Sequence, residues 1–356
     1  MKPKRQKATA ALRMSRAKFA AFAVLTVLLS IGGTLLGVLG VDLYLHHKFE
    51  KVAGLNIRGY RGPLLGRKQP GEQRIVVLGG STTFGYGVTS DQAWPAQLER
   101  ILNARRAEQG AGPVRVANLG YNNEGAHSFL YTLQDYENLE YDVALLYTGD
   151  NDLGINTQVF RRQSAIFRLT GYYLLLPVVF KEKAMALRSN GQLEMAYWPE
   201  HYGNPVFSPN LAERTTASAL EAAVQLSKSL ERQLGRLSDP EHGSVEASAA
   251  VNGCAEEWKY YCQGVFAAVD HAVNRGKRVV VVSEPYVADQ QISQQRSIVA
   301  MLKEHFGAQP LVTHVDLGRA IAMKDTTLVW DGMHLTAAGN RRIAEQLAPA
   351  LASVLQ

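Results

Sequence analysis

The sequence predicts an α/β protein, a three-layer α/β/α sandwich around a parallel sheet, preceded by one transmembrane helix. Three observations predict it. Five short runs rich in Val, Ile and Leu stand apart along the chain, with helical stretches between several of them. That alternation indicates a parallel sheet covered on both faces. The first three runs end in glycine, as strands do where they turn out of a sheet. An uncharged stretch of 23 residues, 19–41, precedes all of them.

The uncharged stretch spans about 34 Å as a helix, enough to cross a hydrocarbon core with some tilt. Residues 1–18 form a basic tail containing Lys2, Lys4, Arg5, Lys7, Arg13, Arg16 and Lys18 and no acidic residue. Such a flank places the N-terminus in the cytoplasm and everything after residue 41 on the far side, outside the cytoplasm. The rival is a cleaved signal peptide, whose apolar core is shorter, about 7–15 residues, and ends in a small-x-small site. No A-x-A follows this stretch. Gly33 and Gly37 form one G-x-x-x-G, a weak sign of helix pairing.

The basic tail also explains the charge. The chain has 356 residues and a net charge of +6, but beyond residue 18 it carries 31 basic and 32 acidic side chains. A nucleic-acid-binding face is therefore excluded. With 46% apolar and 20% charged residues, the composition is that of a globular protein. Two cysteines exclude a disulfide scaffold and a cysteine-rich zinc protein. Cys254 and Cys262 suit an oxidising compartment, but eight residues of continuous helix separate them by about 12 Å, too far for a bridge. Either the segment bends or both thiols are free.

Residues 42–72, with Gly54, Gly59, Gly62, Pro63, Gly66, Pro70 and Gly71, read as a linker. The domain then runs from 73 to 354. Strands are expected at 74–78, 114–119, 143–147, 279–282 and 311–317, and helices at about 92–107, 125–139, 255–275, 290–306 and 336–354. Residues 155–250 interrupt the alternation as a helical insert. Leu220, Ala223, Val224, Leu226, Leu230, Leu234 and Leu237 share a face, so 211–237 is an amphipathic helix. The apolar run 172–180 is too short to span a membrane. It is read as a helix packed on the domain, with an interfacial or acyl-binding patch as the alternative.

In parallel sheets ligands bind where the strands end, so the residues after each strand matter most. The first strand ends in Gly79-Gly80-Ser81-Thr82-Thr83, where a sharp turn presents a serine. No P-loop lysine follows, G-x-G-x-x-G is absent, and Thr83 breaks a G-x-S-x-G elbow. The second strand ends in Asn118-Leu119-Gly120 and the third in Gly149-Asp150-Asn151-Asp152. Near the C-terminus come Asp331-Gly-Met-His334 and then Leu335-Thr336-Ala-Ala-Gly339-Asn340. In sequence alone each of these residues also has an ordinary structural use as a turn or a cap. The ordered set resembles the SGNH (GDSL-type) hydrolase superfamily over roughly residues 73–350, with Gly79-Gly80-Ser81 in place of G-D-S.

The resemblance implies a flavodoxin-like fold and a serine esterase or deacylase acting on an O-acyl ester. Its catalytic residues would be Ser81, Asp331 and His334, and its oxyanion donors the N–H groups of Ser81 and Gly120 and the Asn151 amide. The chemistry fits those residue types. A serine hydroxyl needs an adjacent base, and a carboxylate three residues before the histidine can orient the imidazole. Asp152 is a candidate structural support, and Tyr121 and His127 are candidate substrate contacts. No cofactor and no metal site is expected, since the nine histidines are scattered and His46-His47 sits beside the apolar stretch. The expected partners are the membrane, through 19–41, and an acyl-ester substrate such as an envelope glycan or lipid. Two alternatives stay open: an O-acyltransferase using the same triad, with a sugar hydroxyl replacing water, and a non-enzymatic scaffold that retains the fold.

Overall fold

Five strands form one all-parallel sheet: β1 (Gln73–Leu78), β2 (Val114–Asn118), β3 (Val143–Thr148), β4 (Arg278–Ser283) and β5 (Val312–Asp316), in the order β2-β1-β3-β4-β5. The register pairs Ile75 with Val116 and Val143, Leu145 with Val280, and Val281 with His314. These strands come from a computed structural model that describes residues 16–52, 54–160, 164–191, 209–238 and 251–356. Most of the basic tail and parts of the expected insert lie outside the described residues.

Side-chain alternation along each strand divides the core between two faces. Val76, Leu78, Leu146 and Val281 face one way, onto α4 (Phe129–Asp135), α8 (Lys259–Val273) and α9 (Gln290–Phe306), through Phe129, Val265, Val269 and Ile298. Ile75, Val77, Leu145 and Val280 face the other, onto α3 (Trp94–Glu108) and α10 (Ala337–Val354), through Trp94, Leu98, Ile343 and Leu347. Burial of each such side chain contributes about 1.5–3 kcal/mol. The result is the expected three-layer sandwich, and β3 is buried at every position.

The chain divides into a first unit ending at Leu45 and a second, His46–Gln356. Helix α1 (Arg16–Phe49) is the main described element of the first; its most apolar 18-residue window has a mean hydropathy of 2.3 and no buried residue. It is long and apolar enough to cross a membrane. It also runs eight residues past the expected anchor end, so the expected linker begins inside a helix.

The rest of that linker is structured. In the second unit the His46 ring bonds the carbonyl oxygens of Leu55 at 2.8 Å and Tyr173 at 2.9 Å. Tyr60 is 1% exposed in the core, and the Arg61 N–H donates to Asn118 O at 3.0 Å beside β2. The buried Glu72 and Arg74 pair at 2.5 Å. The linker reading of 42–72 is therefore corrected. Its glycine-rich composition reflects turns at Gly59, Gly62 and Gly71, each with positive φ, between single buried anchors.

The helical interruption after β3 contains α5 (Ala165–Thr170), α6 (Leu176–Arg188) and α7 (Leu211–Ser238), with α6 packed on α7 and Arg188 bonded to Glu221 at 2.6 Å. The apolar run 172–180 is split. Residues 172–175 end a loop, and α6 starts at Leu176 with Pro177 in its first turn, where a missing N–H costs nothing.

Cys254 and Cys262 form a disulfide with Cα atoms 6.4 Å apart. The bend that permits it is the 3₁₀ turn Glu256–Trp258 before α8. Loop closure over so short a separation stabilises by about 2–3 kcal/mol. Thermal melts with and without dithiothreitol should show the midpoint falling by several degrees on reduction, and Cys254→Ser should melt like the reduced chain. An unchanged midpoint would refute the contribution.

Candidate active site

The first strand delivers Ser81 at the start of the one-turn helix α2 (Ser81–Phe84), directly after Gly79-Gly80. The last segment delivers Asp331 and His334 on the turn before α10. That helix is capped by Thr336, whose hydroxyl accepts the Gly339 N–H at 3.2 Å. Asn340 in its first turn accepts the Trp94 N–H at 2.9 Å and so ties α10 to α3. The two ends of the domain are thereby fixed side by side.

His334 Nε2 lies 2.9 Å from Ser81 Oγ, and His334 Nδ1 lies 2.6 Å from Asp331 Oδ2. The other Asp331 oxygen accepts the backbone N–H of His334 at 2.6 Å and of Met333 at 3.0 Å. Burial raises the Asp331 pKa, but these bonds outweigh it and the carboxyl is held below its ordinary value. His334 is 1% exposed. Its ring is walled by Tyr86, centroid 4.9 Å away, and by Trp330, stacked at 5.5 Å.

The three groups expected to act as oxyanion donors are held differently. The Ser81 N–H stands at the first position of α2, where an N–H has no partner within the helix. The Asn151 amide donates one hydrogen to Glu124 O at 3.1 Å, which orients it and leaves a second N–H. It packs so closely on the Gly79–Ser81 turn that a Cβ at Gly80 would lie 1.7 Å from Asn151 Nδ2. The Gly120 N–H departs from the expectation: it is held by Asn118 Oδ1 at 3.0 Å. Gly120 itself sits where a Cβ would come 2.5 Å from Phe84 N, so close approach to α2 is its clearest role.

Asp152 is buried under this group. It accepts the Ala126 N–H at 3.0 Å and the Thr148 hydroxyl at 3.1 Å. Tyr121 is half-buried with its ring 5.4 Å from Phe160, and His127 is half-buried with its pKa lowered by burial. His46 belongs to a structural contact, as above, and no group of three His, Cys, Asp or Glu suited to a metal occurs among the described residues.

Sequence reasoning passed over Glu284, the residue that follows β4. It is buried, and its backbone N–H donates to Thr148 O at 3.2 Å at the end of β3. The rule of inspecting every strand end would have found it. Burial pushes the Glu284 pKa far up, with the charges of Asp150 and Asp152 adding to this. Burial also pushes Asp150 up to about 6; the charge of His334 opposes this and that of Asp331 adds to it. Tyr86, Trp330 and Arg61 were passed over as well. Trp330 directly precedes Asp331, but nothing in the spacing marks its stacking on His334.

No model of a known protein family matches the chain, and no curated protein matches it. Solved structures with some likeness include a lipolytic protein of the G-D-S-L family from Desulfitobacterium hafniense, at 12% identity over 79% of this chain and 99% of that one, with a TM-score of 0.37. A family 3 carbohydrate esterase from Talaromyces cellulolyticus matches at 12% identity over 80% and 98%, with a TM-score of 0.39. A two-domain esterase active on acetylated mannans matches at 11% identity over 80% of this chain and 50% of that one, with a TM-score of 0.41.

Two outcomes follow from the geometry. Gly80→Ala should displace the Asn151 amide and lower kcat about 100-fold for any reaction that develops negative charge beside Ser81, with KM little changed. Steady-state kinetics on an ester substrate checks this. The second concerns pH. Burial pushes Asp152 up to about 7, against its bonds to Ala126 and Thr148 and with the Asp150 charge adding. The folded state thus holds a proton that the unfolded chain releases near pH 4, so stability falls as pH rises from about 4 to about 7, by up to ~4 kcal/mol. Asp152→Asn keeps an acceptor for Ala126 and should flatten that slope. Melting midpoints between pH 4 and 8 decide; a slope unchanged by the substitution would refute the assignment.

Proposed function

We propose that this chain is an SGNH-type serine esterase or deacylase, anchored in a membrane by α1, with its hydrolase unit outside the cytoplasm. One observation carries the reading: the continuous line Asp331–His334–Ser81, with bonds of 2.6 and 2.9 Å, at the carboxyl edge of a parallel sheet. A nucleophile, a base in reach of it and a carboxylate orienting that base are the parts acyl transfer requires.

In this reading Ser81 Oγ attacks the ester carbonyl while His334 Nε2 takes its proton. Asp331, held ionised, fixes the Nδ1–H tautomer and stabilises the imidazolium. The oxyanion forms toward the Ser81 N–H and the second N–H of Asn151. The Gly120 N–H joins them on giving up or sharing its bond to Asn118. Collapse breaks the C–O bond to the alcohol, which leaves with the proton from His334. Water, activated by the same base, then releases the acid from acyl-Ser81.

The apolar helix and the seven positive charges that precede residue 19 support a cytoplasmic N-terminus and a periplasmic hydrolase unit. The Cys254–Cys262 bridge suits the same side. An ester on an envelope glycan or lipid is the substrate that this placement favours.

The test uses the full chain in detergent, with p-nitrophenyl acetate hydrolysis and fluorophosphonate labelling. The unaltered chain should hydrolyse and label at one serine. Ser81→Ala should abolish labelling, and Ser81→Ala and His334→Ala should each lower kcat by at least ~10³-fold. Asn151→Ala should cost about 10²–10³ in kcat. Full activity in Ser81→Ala would refute the nucleophile. A reporter fused after Gln356 should be active only outside the cytoplasm, and activity inside would refute the orientation.

A further inference from the structure

Arg61 lies in the segment that sequence reading assigned to a linker, yet it is 2% exposed. Among the described residues its guanidinium meets no carboxylate within salt-bridge distance. Instead it donates to backbone carbonyls: Nη1 to Phe84 O at 2.6 Å and Gly85 O at 2.8 Å, and Nη2 to Val52 O at 2.7 Å and to Val88 O. The Phe84 ring stacks below it, 4.3 Å from Cζ. Burying a charge without a counter-ion is costly, and only a dense set of carbonyl oxygens offsets it. Burial lowers its pKa to about 10, with the charge of Asp91 opposing, so the group stays charged at neutral pH.

The carbonyl of Val52 lies in the N-terminal segment; those of Phe84, Gly85 and Val88 belong to the carboxyl end of α2, the helix that begins with Ser81, and to the turn after it. The positive group there also complements the negative end of the helix dipole. The same turn is bonded back to the nucleophile: the N–H groups of Gly85 and Tyr86 donate to Ser81 O at 2.9 and 3.0 Å. The Tyr86 ring lies against His334. Asn118 adds a second tie. It accepts the Gly120 N–H, and its own amide donates to Thr83 O at 2.9 Å, while its carbonyl accepts the Arg61 N–H.

We infer that Arg61 is a positioning residue for the Ser81–His334 pair: by clamping the 84–88 turn from below, it fixes both the axial rotation of α2 and the wall that holds the imidazole. Lysine, with a single point of charge and no planar fork, cannot hold carbonyls on both sides at once. Displacement of a nucleophile by about 1 Å costs about 100-fold in rate. The inference rests on Ser81 being the nucleophile of the proposed esterase.

The test compares full-length Arg61→Lys and Arg61→Ala with the unaltered chain. For p-nitrophenyl acetate, Arg61→Lys should lower kcat about 10–100-fold at nearly constant KM, with the fluorophosphonate labelling rate falling in parallel. Methylguanidinium should restore part of the kcat of Arg61→Ala and leave the unaltered chain unaffected. In the resting protein, the downfield proton resonance of the His334–Asp331 bond should shift or broaden in Arg61→Lys. This last measurement needs no turnover. If the unaltered chain neither labels nor hydrolyses, the serine reading fails, and the resonance still decides the role of Arg61. Unchanged kcat and resonance in folded Arg61→Lys would overturn the inference. So would loss of the folded state in both variants, read by near-ultraviolet circular dichroism, which would assign Arg61 to the fold alone.

Discussion

All five strands point the same way, so their carboxyl ends share one edge, and every group of the site hangs from that edge. Ser81 follows β1, Gly120 follows β2, Asn151 follows β3 and Glu284 follows β4. The segment after β5 returns Asp331 and His334 to the same place. The parallel direction comes from burial on both faces: strands that must be apolar on each side need helices above and below, and helical crossovers keep successive strands parallel. The geometry of the site is thus a by-product of how the core is covered.

What the core does not supply, polar groups supply at the edge. Each turn is held by bonds from a neighbouring turn. Gln294 donates to Gly149 O and Asp152 O at 2.9 and 3.1 Å, Glu124 O receives the Asn151 amide, and the Glu284 N–H donates to Thr148 O. A buried acid such as Asp152 opposes stability at neutral pH, yet the Ala126 N–H and the Thr148 hydroxyl donate to it. Such bonds give rigidity that apolar packing at a sheet edge cannot, because the backbone there has left the ladder.

The sheet was legible in the sequence because its signals are local. The five apolar runs match the strands to within about a residue at most ends, and 290–306 matches α9 at both ends. Ser81, Asp331 and His334 were legible because spacing and strand ends are written in order. The N-terminal segment was not. Tyr60, Arg61 and His46 are single anchors separated by turns, with no periodicity to mark them. The state of the Gly120 N–H was equally hidden, since it depends on the side chain of Asn118 two residues earlier. The disulfide required a bend at 256–258 that a helical pattern does not announce.

The hydrogen bond from Ser81 to His334 joins residues 253 positions apart. Strand β1 and its serine are made early, but the imidazole arrives only when β5 has paired and α10 has docked on α3. Contacts so distant in sequence form late, after the loop-closure cost of the whole domain has been met. A chain still emerging, or one arrested before its last thirty residues, carries a lone hydroxyl with ordinary alcohol reactivity. The Ser81–His334 bond thus reports that the first strand and the last helix of the domain have come together.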